Sequence, residues 1–500
     1  MQLVPLVSPA NLSECVAMTF SIQDIRFHVL PMRTRFPFRY GIASMIGIPH
    51  LFVTADLVVD GKPAQGLASE GLAPKWFTKN PESSLELDWA EMIAVIQNAA
   101  RIAENIALKP VGYFAWWQDL YAEQGRWAKL RSQPPLLANL GVSLMERAVL
   151  DGLCKAAGQP LHRVLKTDAL GIDLGAVHEE LRGVQVKDVL SPEPLARVAV
   201  RHTIGLGDPL RAEDSPGLND GLPETLADSI RAYGLRYFKI KVTGQIEVDI
   251  PRLHQIAEVL EAGCPQGFHA TLDGNEQFTD LASFREFYDI LAADPALASL
   301  FKSLLLIEQP LHRDHALKDD VAAAIAGWKD GPGMIMDESD GSLTDLPRAL
   351  ELGYNGTSHK SCKGIVKGIV NAALLKVRAP QMARPPILSG EDLANTGPVS
   401  LLQDLAMMAL LGITHVERNG HHYFRGLSVY SPEFQEAALK AHPGFYRRHE
   451  LGFPTLDVQE GLIDLTSVNS APFGSAIPID AEQFTALKPW IMSGGMAALQ

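Results

Sequence analysis

From about residue 198 onward, short apolar runs alternate with amphipathic stretches, and the runs end in charged side chains. YFKIK, HATLD, LLLIE, MIMDE and GTSHK carry Lys241, Asp273, Glu308, Asp337 and Lys360 at or near their ends. RPPILSGED and GITHVERNG continue the series to Glu391 and Glu417. The successive steps are 32, 35, 29, 23, 31 and 26 residues, close to the roughly thirty that one strand and its crossover helix need. Between the runs, IPRLHQIAEVLEAG, LASFREFYDILAA, LPRALELG and IVKGIVNAALLKV carry apolar residues three or four apart, which predicts helices. A first strand near His202, in LARVAVRHTIGL, brings the strands to eight, so the fold class is α/β with a TIM-type (β/α) barrel. All strands of such a barrel deliver their C-terminal ends to one mouth, and these charges would meet there.

The flanking pattern is different. Residues 20–165 read as an α+β domain. IQDIRFHVL and LFVTADLVV read as antiparallel strands, with a turn signal at Asp60-Gly61. LELDWAEMIAVIQNAARIAENI and GVSLMERAVLDGLCKAAG read as helices, the second ending at Gly158. Residues 166–197 lack a strong period and read as a linker or insertion, and 198–435 hold the barrel, with 206–225 as a Gly- and Pro-rich mouth loop. Residues 436–500 are expected to return to the first domain through short strands around Glu460-Gly461.

Composition narrows the function classes. The net charge of −14 argues against a nucleic-acid or anionic-membrane partner. No apolar run reaches membrane-spanning length, and the first twenty residues lack a signal-peptide pattern. The four cysteines, Cys15, Cys154, Cys264 and Cys362, form no CxxC pair, so neither a structural zinc site nor a disulfide framework is expected. A cytoplasmic location is the simplest expectation. Cys362, beside Lys360, reads as an unreactive thiol near the pocket.

Strand alternation places Lys239 and Lys241 on one face and Phe238 and Ile240 on the other. Two lysines inside a barrel are costly unless anions face them. Asp273, Glu308 and Asp337 supply oxygen donors of the kind that a hard dication such as Mg2+ takes. Asp337 and Glu338 have opposite parity, so one of them enters the barrel; Asp337 is favoured and Glu338 is its rival. A dication beside lysines addresses one problem in particular: removing the weakly acidic proton α to a carboxylate creates a dianionic enediolate that needs strong neutralisation. A lysine whose pKa is lowered by burial and neighbouring cations can act as the base.

The KIK of the second strand, LDGNE at 272–276, IEQP at 307–310, MDES at 336–339 and the lysine of the sixth strand together resemble the enolase superfamily, in its mandelate racemase/muconate lactonizing enzyme branch. GIASMIGIPHLFVTADLVVDG and SLMERAVLDGLCKAAGQPL are similar to its capping domain, and PTLDVQEGLIDL to its return segment. The resemblance implies a modified, enolase-like barrel whose α+β cap is completed by the C-terminal segment. It implies Lys239 as the ligand of the substrate carboxylate, Lys241 and Lys360 as acid/bases on opposite faces, and Asp273, Glu308 and Asp337 as ligands of Mg2+, for which Mn2+ can substitute. Asn275 is expected to steady the metal shell or meet the substrate. Tyr40 and Ser44, in a capping stretch that reads as polar and small, and Glu391 and Glu417 are further candidates for substrate contact. A symmetric homo-oligomer is expected.

The expected partner is a small carboxylate, leaning towards a hydroxylated one, and the expected reaction is racemisation or epimerisation by the two lysines. Dehydration or cycloisomerisation through the same enediolate is the alternative, and a non-catalytic acid-binding protein is the reading from another class. The chain also departs from the family's pattern. HKSCKGIVKG has one Gly where a Gly-Gly pair is usual and adds Lys363, a rival to Lys360. Strand seven offers SGED without a histidine, and strand eight lacks the Asp-x-Asp of dipeptide epimerases. In HVERNGHH, His415 and Glu417 share parity and are both expected at the mouth, and His421 and His422 in a loop over the pocket.

Overall fold

The structure, a computed structural model, describes residues 17–329 and 331–499; Cys15 and the stretch read for a signal peptide up to residue 16 lie outside them. Eight parallel strands form a closed barrel: Arg197–Ile204, Tyr237–Lys241, His269–Asp273, Leu304–Glu308, Gly333–Met336, Gly356–His359, Ile387–Gly390 and His415–Arg418. Each pairs with the next in chain order, and the eighth closes on the first with Glu417 opposite Arg201. Closure pairs every strand on both sides, so no edge remains to invite association. Helices such as Ile246–Gly263, Leu281–Ala292 and Ile365–Arg378 occupy the crossovers.

Alternation operates as the pattern predicts. Phe238 and Ile240 are fully buried towards the helices, while Lys239 and Lys241 turn inward. The ladder sets Lys241 opposite Asp273, and Asp273 opposite Glu308. One row of the barrel therefore holds a cation and two anions side by side.

The capping domain is an antiparallel sheet of Thr19–Tyr40, Ala43–Val59 and Lys62–Gly71, backed by helices Leu85–Ile106, Tyr113–Leu130 and Pro135–Ala157. Asp60 and Gly61 both take positive φ (47° and 80°) in the tight turn between two of these strands. The pairing register breaks between Arg33 and Phe38, and beyond the break Phe38 and Tyr40 point towards the barrel mouth. Helix Pro135–Ala157 ties the cap to the sixth strand end. Its buried Glu146 accepts from the backbone N–H groups of Ile365 and Val366, so a carboxylate caps the N-terminus of helix Ile365–Arg378. Burial pushes Glu146 up to about 7, despite those hydrogen bonds.

Residues 166–197 contain the short helices Leu174–Val177 and Val186–Val189. The C-terminal segment divides. Leu462–Asp464 pairs antiparallel with the first barrel strand, and only beyond it does Thr485–Ala486 pair with the capping strand Thr19–Tyr40. The short strands around Glu460-Gly461 were expected to reach the cap, but they extend the barrel sheet. Among the described residues no helix is long and apolar enough to cross a membrane.

Candidate active site

The barrel mouth and the cap leave a small pocket between them. Among the residues singled out from the sequence, Tyr40, Lys239, Lys241, Asp273, Asn275, Asp337, Lys360 and Glu417 line it. Strands two and six stand four places apart in a ring of eight, so Lys241 and Lys360 face each other across the barrel. Lys241 Nζ donates to Asp273 Oδ2 at 2.8 Å and to Asn275 Oδ1 at 2.7 Å. Lys360 Nζ donates to Asp337 Oδ2 at 2.5 Å and lies 4.3 Å from the centre of the Trp76 ring, within cation–π range.

Lys239 is placed differently. Its Nζ donates to Glu308 at 2.9 Å, Glu391 at 2.8 Å and Glu417 at 3.1 Å, with Asp273 Oδ2 also at 3.1 Å. An ammonium has three hydrogens, so none remains for a substrate carboxylate, the role the resemblance implied. Glu391 is fully buried, paired with Arg201 as well as Lys239, and does not reach the pocket wall. Glu417 reaches the wall but accepts from Thr203 Oγ1 at 2.7 Å, the Asp392 N–H at 2.9 Å and Lys239. Burial tends to lower the basicity of Lys239, but the carboxylates of Asp273, Glu308, Glu391 and Glu417 overcome it and hold its pKa well above the usual value. Burial likewise opposes ionisation of Glu417 and Asp337. Lys239, Lys241 and Lys360 around Glu417, and Lys360, Lys363 and Lys239 around Asp337, keep both below the usual carboxylate range.

The rivals separate by position. Lys363 Nζ donates to the Asp337 carbonyl at 2.6 Å and Ser358 Oγ at 2.8 Å and does not line the pocket; Lys360 does. Glu338 accepts from Asn275 Nδ2 at 3.2 Å, behind the wall that Asp337 occupies. Asn275 thus bridges Lys241 and Glu338. Asn275, Glu276 and Gln309 take positive φ (40°, 63° and 35°), a strained backbone for these residues at the ends of the strands carrying Asp273 and Glu308.

The resemblance assigns a dication to Asp273, Glu308 and Asp337. Among the described residues no group of three or more His, Cys, Asp or Glu is already spaced to hold a metal; lysine ammonium groups stand between the carboxylates. The charge balance nevertheless leaves positive charge short. Burial, with Asp273 and Glu391 beside it, pushes Glu308 well above its usual range. Burial and the neighbouring Asp337 and Glu276 push Glu338 up to about 7, and its Oε2 is buried without a hydrogen-bond donor. The donor set therefore fits a hard, oxygen-seeking dication.

Several expectations are corrected. His415 begins the eighth strand, stacks on Tyr237 at 5.1 Å and bonds Arg201 at 2.9 Å, so it belongs to the barrel floor and not to the mouth. His421 and His422 do not cover the pocket. They pack outside the first strand against His202, with Phe36 edge-on to His422. Ser44 is exposed. The capping stretch contributes Phe38, Tyr40 and Met45 instead, so its face to the pocket is aromatic and apolar where a polar one was expected. Sequence reasoning missed Trp76, Asp392, Leu393 and Asn419 on the wall. Trp76 sits in an irregular stretch without periodicity; Arg313 fixes it there by donating to the carbonyls of Trp76 and Phe77 at 2.8 Å and 2.7 Å. Burial raises the Cys362 thiol, in keeping with an unreactive cysteine.

Solved structures share this fold. The N-succinyl Arg/Lys racemase of Bacillus cereus ATCC 14579 matches with a TM-score of 0.57 at 16% identity, over 93% of this chain and 98% of that one. The dipeptide epimerase of Enterococcus faecalis V583, complexed with Mg and the dipeptide L-Leu-L-Tyr, gives 0.57 at 14%, over 91% and 99%. The muconate lactonizing enzyme of Pseudomonas fluorescens, complexed with muconolactone, gives 0.55 at 16%, over 93% and 98%. No family profile and no curated protein matches the sequence. The chain has the enolase-superfamily fold, in the form of its mandelate racemase/muconate lactonizing structures.

Proposed function

We propose that this chain is an enzyme of the enolase superfamily that removes the proton α to a carboxylate and returns it, racemising or epimerising its substrate. The observation that carries the reading is the pair Lys241 and Lys360, on opposite strands of one barrel and on the wall of one pocket. A base on each face lets a proton leave one side of a planar enediolate and arrive on the other. Asp273, Glu308 and Asp337 are the residues that would hold Mg2+, which would neutralise the charge developing on the substrate carboxylate. Asn275 orients Lys241 through its Oδ1. Trp76 lies over Lys360 and shields its ammonium from solvent on that side. A lysine that accepts a proton must first be neutral. In the arrangement seen, burial disfavours the charge on Lys360 while Asp337 sustains it, and its pKa stands above the usual value.

The reading is tested by incubating the purified protein with Mg2+ and a panel of racemisable acids in heavy water, following α-deuteration by NMR. Lys241→Ala and Lys360→Ala should each abolish turnover, a loss of at least about 100-fold, which is the low end of general acid–base contributions. Normal turnover of the same acid in both variants would sink the two-base mechanism. A product lighter by about 18 Da, one water, would favour dehydration from the same intermediate.

A further inference from the structure

We propose that Ser358 and Lys363 are positioning residues of the metal site: they hold one oxygen of Asp337 from behind, leave the other to the pocket, and so set the site for Mg2+ over Ca2+. This deepens the proposed function and rests on it for the placing of a dication at Asp337. Three of the four polar atoms of Asp337 are taken by residues that do not line the pocket. Its N–H donates to Gln309 Oε1 at 2.8 Å. Its carbonyl accepts from Lys363 Nζ at 2.6 Å. Its Oδ1 accepts from Ser358 Oγ and lies 3.0 Å from Lys363 Nζ. Oδ2 is the atom that meets a residue of the wall, Lys360, at 2.5 Å. Lys363 Nζ donates to Ser358 Oγ at 2.8 Å as well, so its three hydrogens are all directed at Asp337 and its clamp.

The sixth strand explains the arrangement. Ser358 lies on it, two residues before Lys360, so the two share parity and both turn towards Asp337. Lys363 closes the short turn Ser361–Lys363 directly after it and is buried. Asp273 is held in the same manner by other means. Its Oδ1 accepts from the Asn275 N–H at 2.8 Å, while Oδ2 accepts from Lys241 at 2.8 Å and lies 3.1 Å from Lys239 Nζ, both residues of the wall. Each aspartate thus presents one oxygen. Mg2+ demands a near-ideal octahedron at short distances, into which the narrow bite of a two-oxygen carboxylate fits poorly; Ca2+ takes more oxygens at longer distances and accepts both oxygens of one carboxylate. A carboxylate whose second oxygen is bonded from behind can offer it to Ca2+ only by breaking those bonds. At Asp273 the restraint is a backbone N–H; at Asp337 it is made by side chains and can be removed.

The purified full chain is titrated by calorimetry with Mg2+ and, separately, with Ca2+. The parent should bind Mg2+ at least as tightly as Ca2+. Ser358→Ala removes one donor to Oδ1 without changing the charge, and the ratio of Ca2+ affinity to Mg2+ affinity should rise about tenfold, the lower end of what losing a ligand's hydrogen-bond partner costs. Adding Lys363→Met should raise the ratio further, and Ser358→Thr, which keeps the hydroxyl, should leave it as in the parent. A general loosening of the fold weakens both ions in proportion, so the ratio separates positioning from a merely structural role; Ser358→Ala serves if the double variant does not fold. A parent that prefers Ca2+, or a ratio unmoved by Ser358→Ala, overturns the assignment. A parent that binds neither ion overturns the metal site of the proposed function along with it. A ratio that shifts as expected in a protein that exchanges no α-deuterium with any acid overturns the proposed chemistry and leaves Ser358 and Lys363 their role.

Discussion

The two faces of the first barrel strand bury polar groups equally well and treat them in opposite ways. Arg201 and Thr203 point inward. Arg201 donates to the Gly390 carbonyl at 2.9 Å and pairs with Glu391, and Thr203 donates to Glu417. With Lys239 at the centre, this face keeps its charges and matches them. His202 points outward, 3.2 Å from His421 and beside His422. On that face burial lowers His202 to about 4. Burial, His202 and nearby cations, Arg35 among them, hold His421 and His422 well below the usual value. The acids nearest this cluster are already engaged: Asp220 by Arg35, and Asp208 by Tyr423 at 2.6 Å. A buried ionisable group keeps its charge where partners converge on it and sheds it where they do not.

The sharpest way to break the inner face is Lys239→Met. It leaves Asp273, Glu308, Glu391 and Glu417 without their shared cation, and the expected loss is about 3–5 kcal/mol in denaturant unfolding. Adding Glu391→Gln should return part of that loss. An unchanged stability in the single variant would mean that Lys239 is not the floor's counter-charge.

The outer face should betray itself in acid. A histidine whose folded pKa is lowered binds its proton more readily when unfolded, so its contribution to stability is present above about pH 6.5 and is lost as pH falls towards the folded value. The buried carboxylates raised towards 7 act in the opposite sense, so the comparison is between variants. His422→Phe should reduce the loss of stability between pH 7 and pH 5 by up to about 1.4 kcal/mol per pH unit. Parallel pH profiles for variant and parent would contradict a neutral, buried His422. The smallest effect is expected for Thr203→Val. It removes one donor to Glu417 and should cost about 1 kcal/mol, while leaving the acid profile of the histidines unchanged.

The barrel was readable because closure repeats one rule eight times. The spacing that put Asp273, Glu308 and Asp337 at strand ends, and the alternation that turned Lys239 and Lys241 inward, are local properties of the chain. The roles of Lys239 and Glu391 were not readable. Which carboxylates surround an inward lysine depends on strands two, four, seven and eight meeting at the axis, a distance of 178 residues in the case of Lys239 and Glu417. His421 and His422 follow a strand end just as the mouth residues do, and only the turn Gly420–Tyr423, folding against the first capping strand, carries them outside.

The sequence by itself determined the eight-strand rhythm and the inward charges, because period and parity are fixed within a few residues of each position. The tertiary structure alone decided that Lys239 spends all three hydrogens on glutamates and that an aromatic ring covers Lys360. Each of these depends on groups far apart in the chain competing for the same buried volume, where a hydrogen bond made to one partner is withheld from every other.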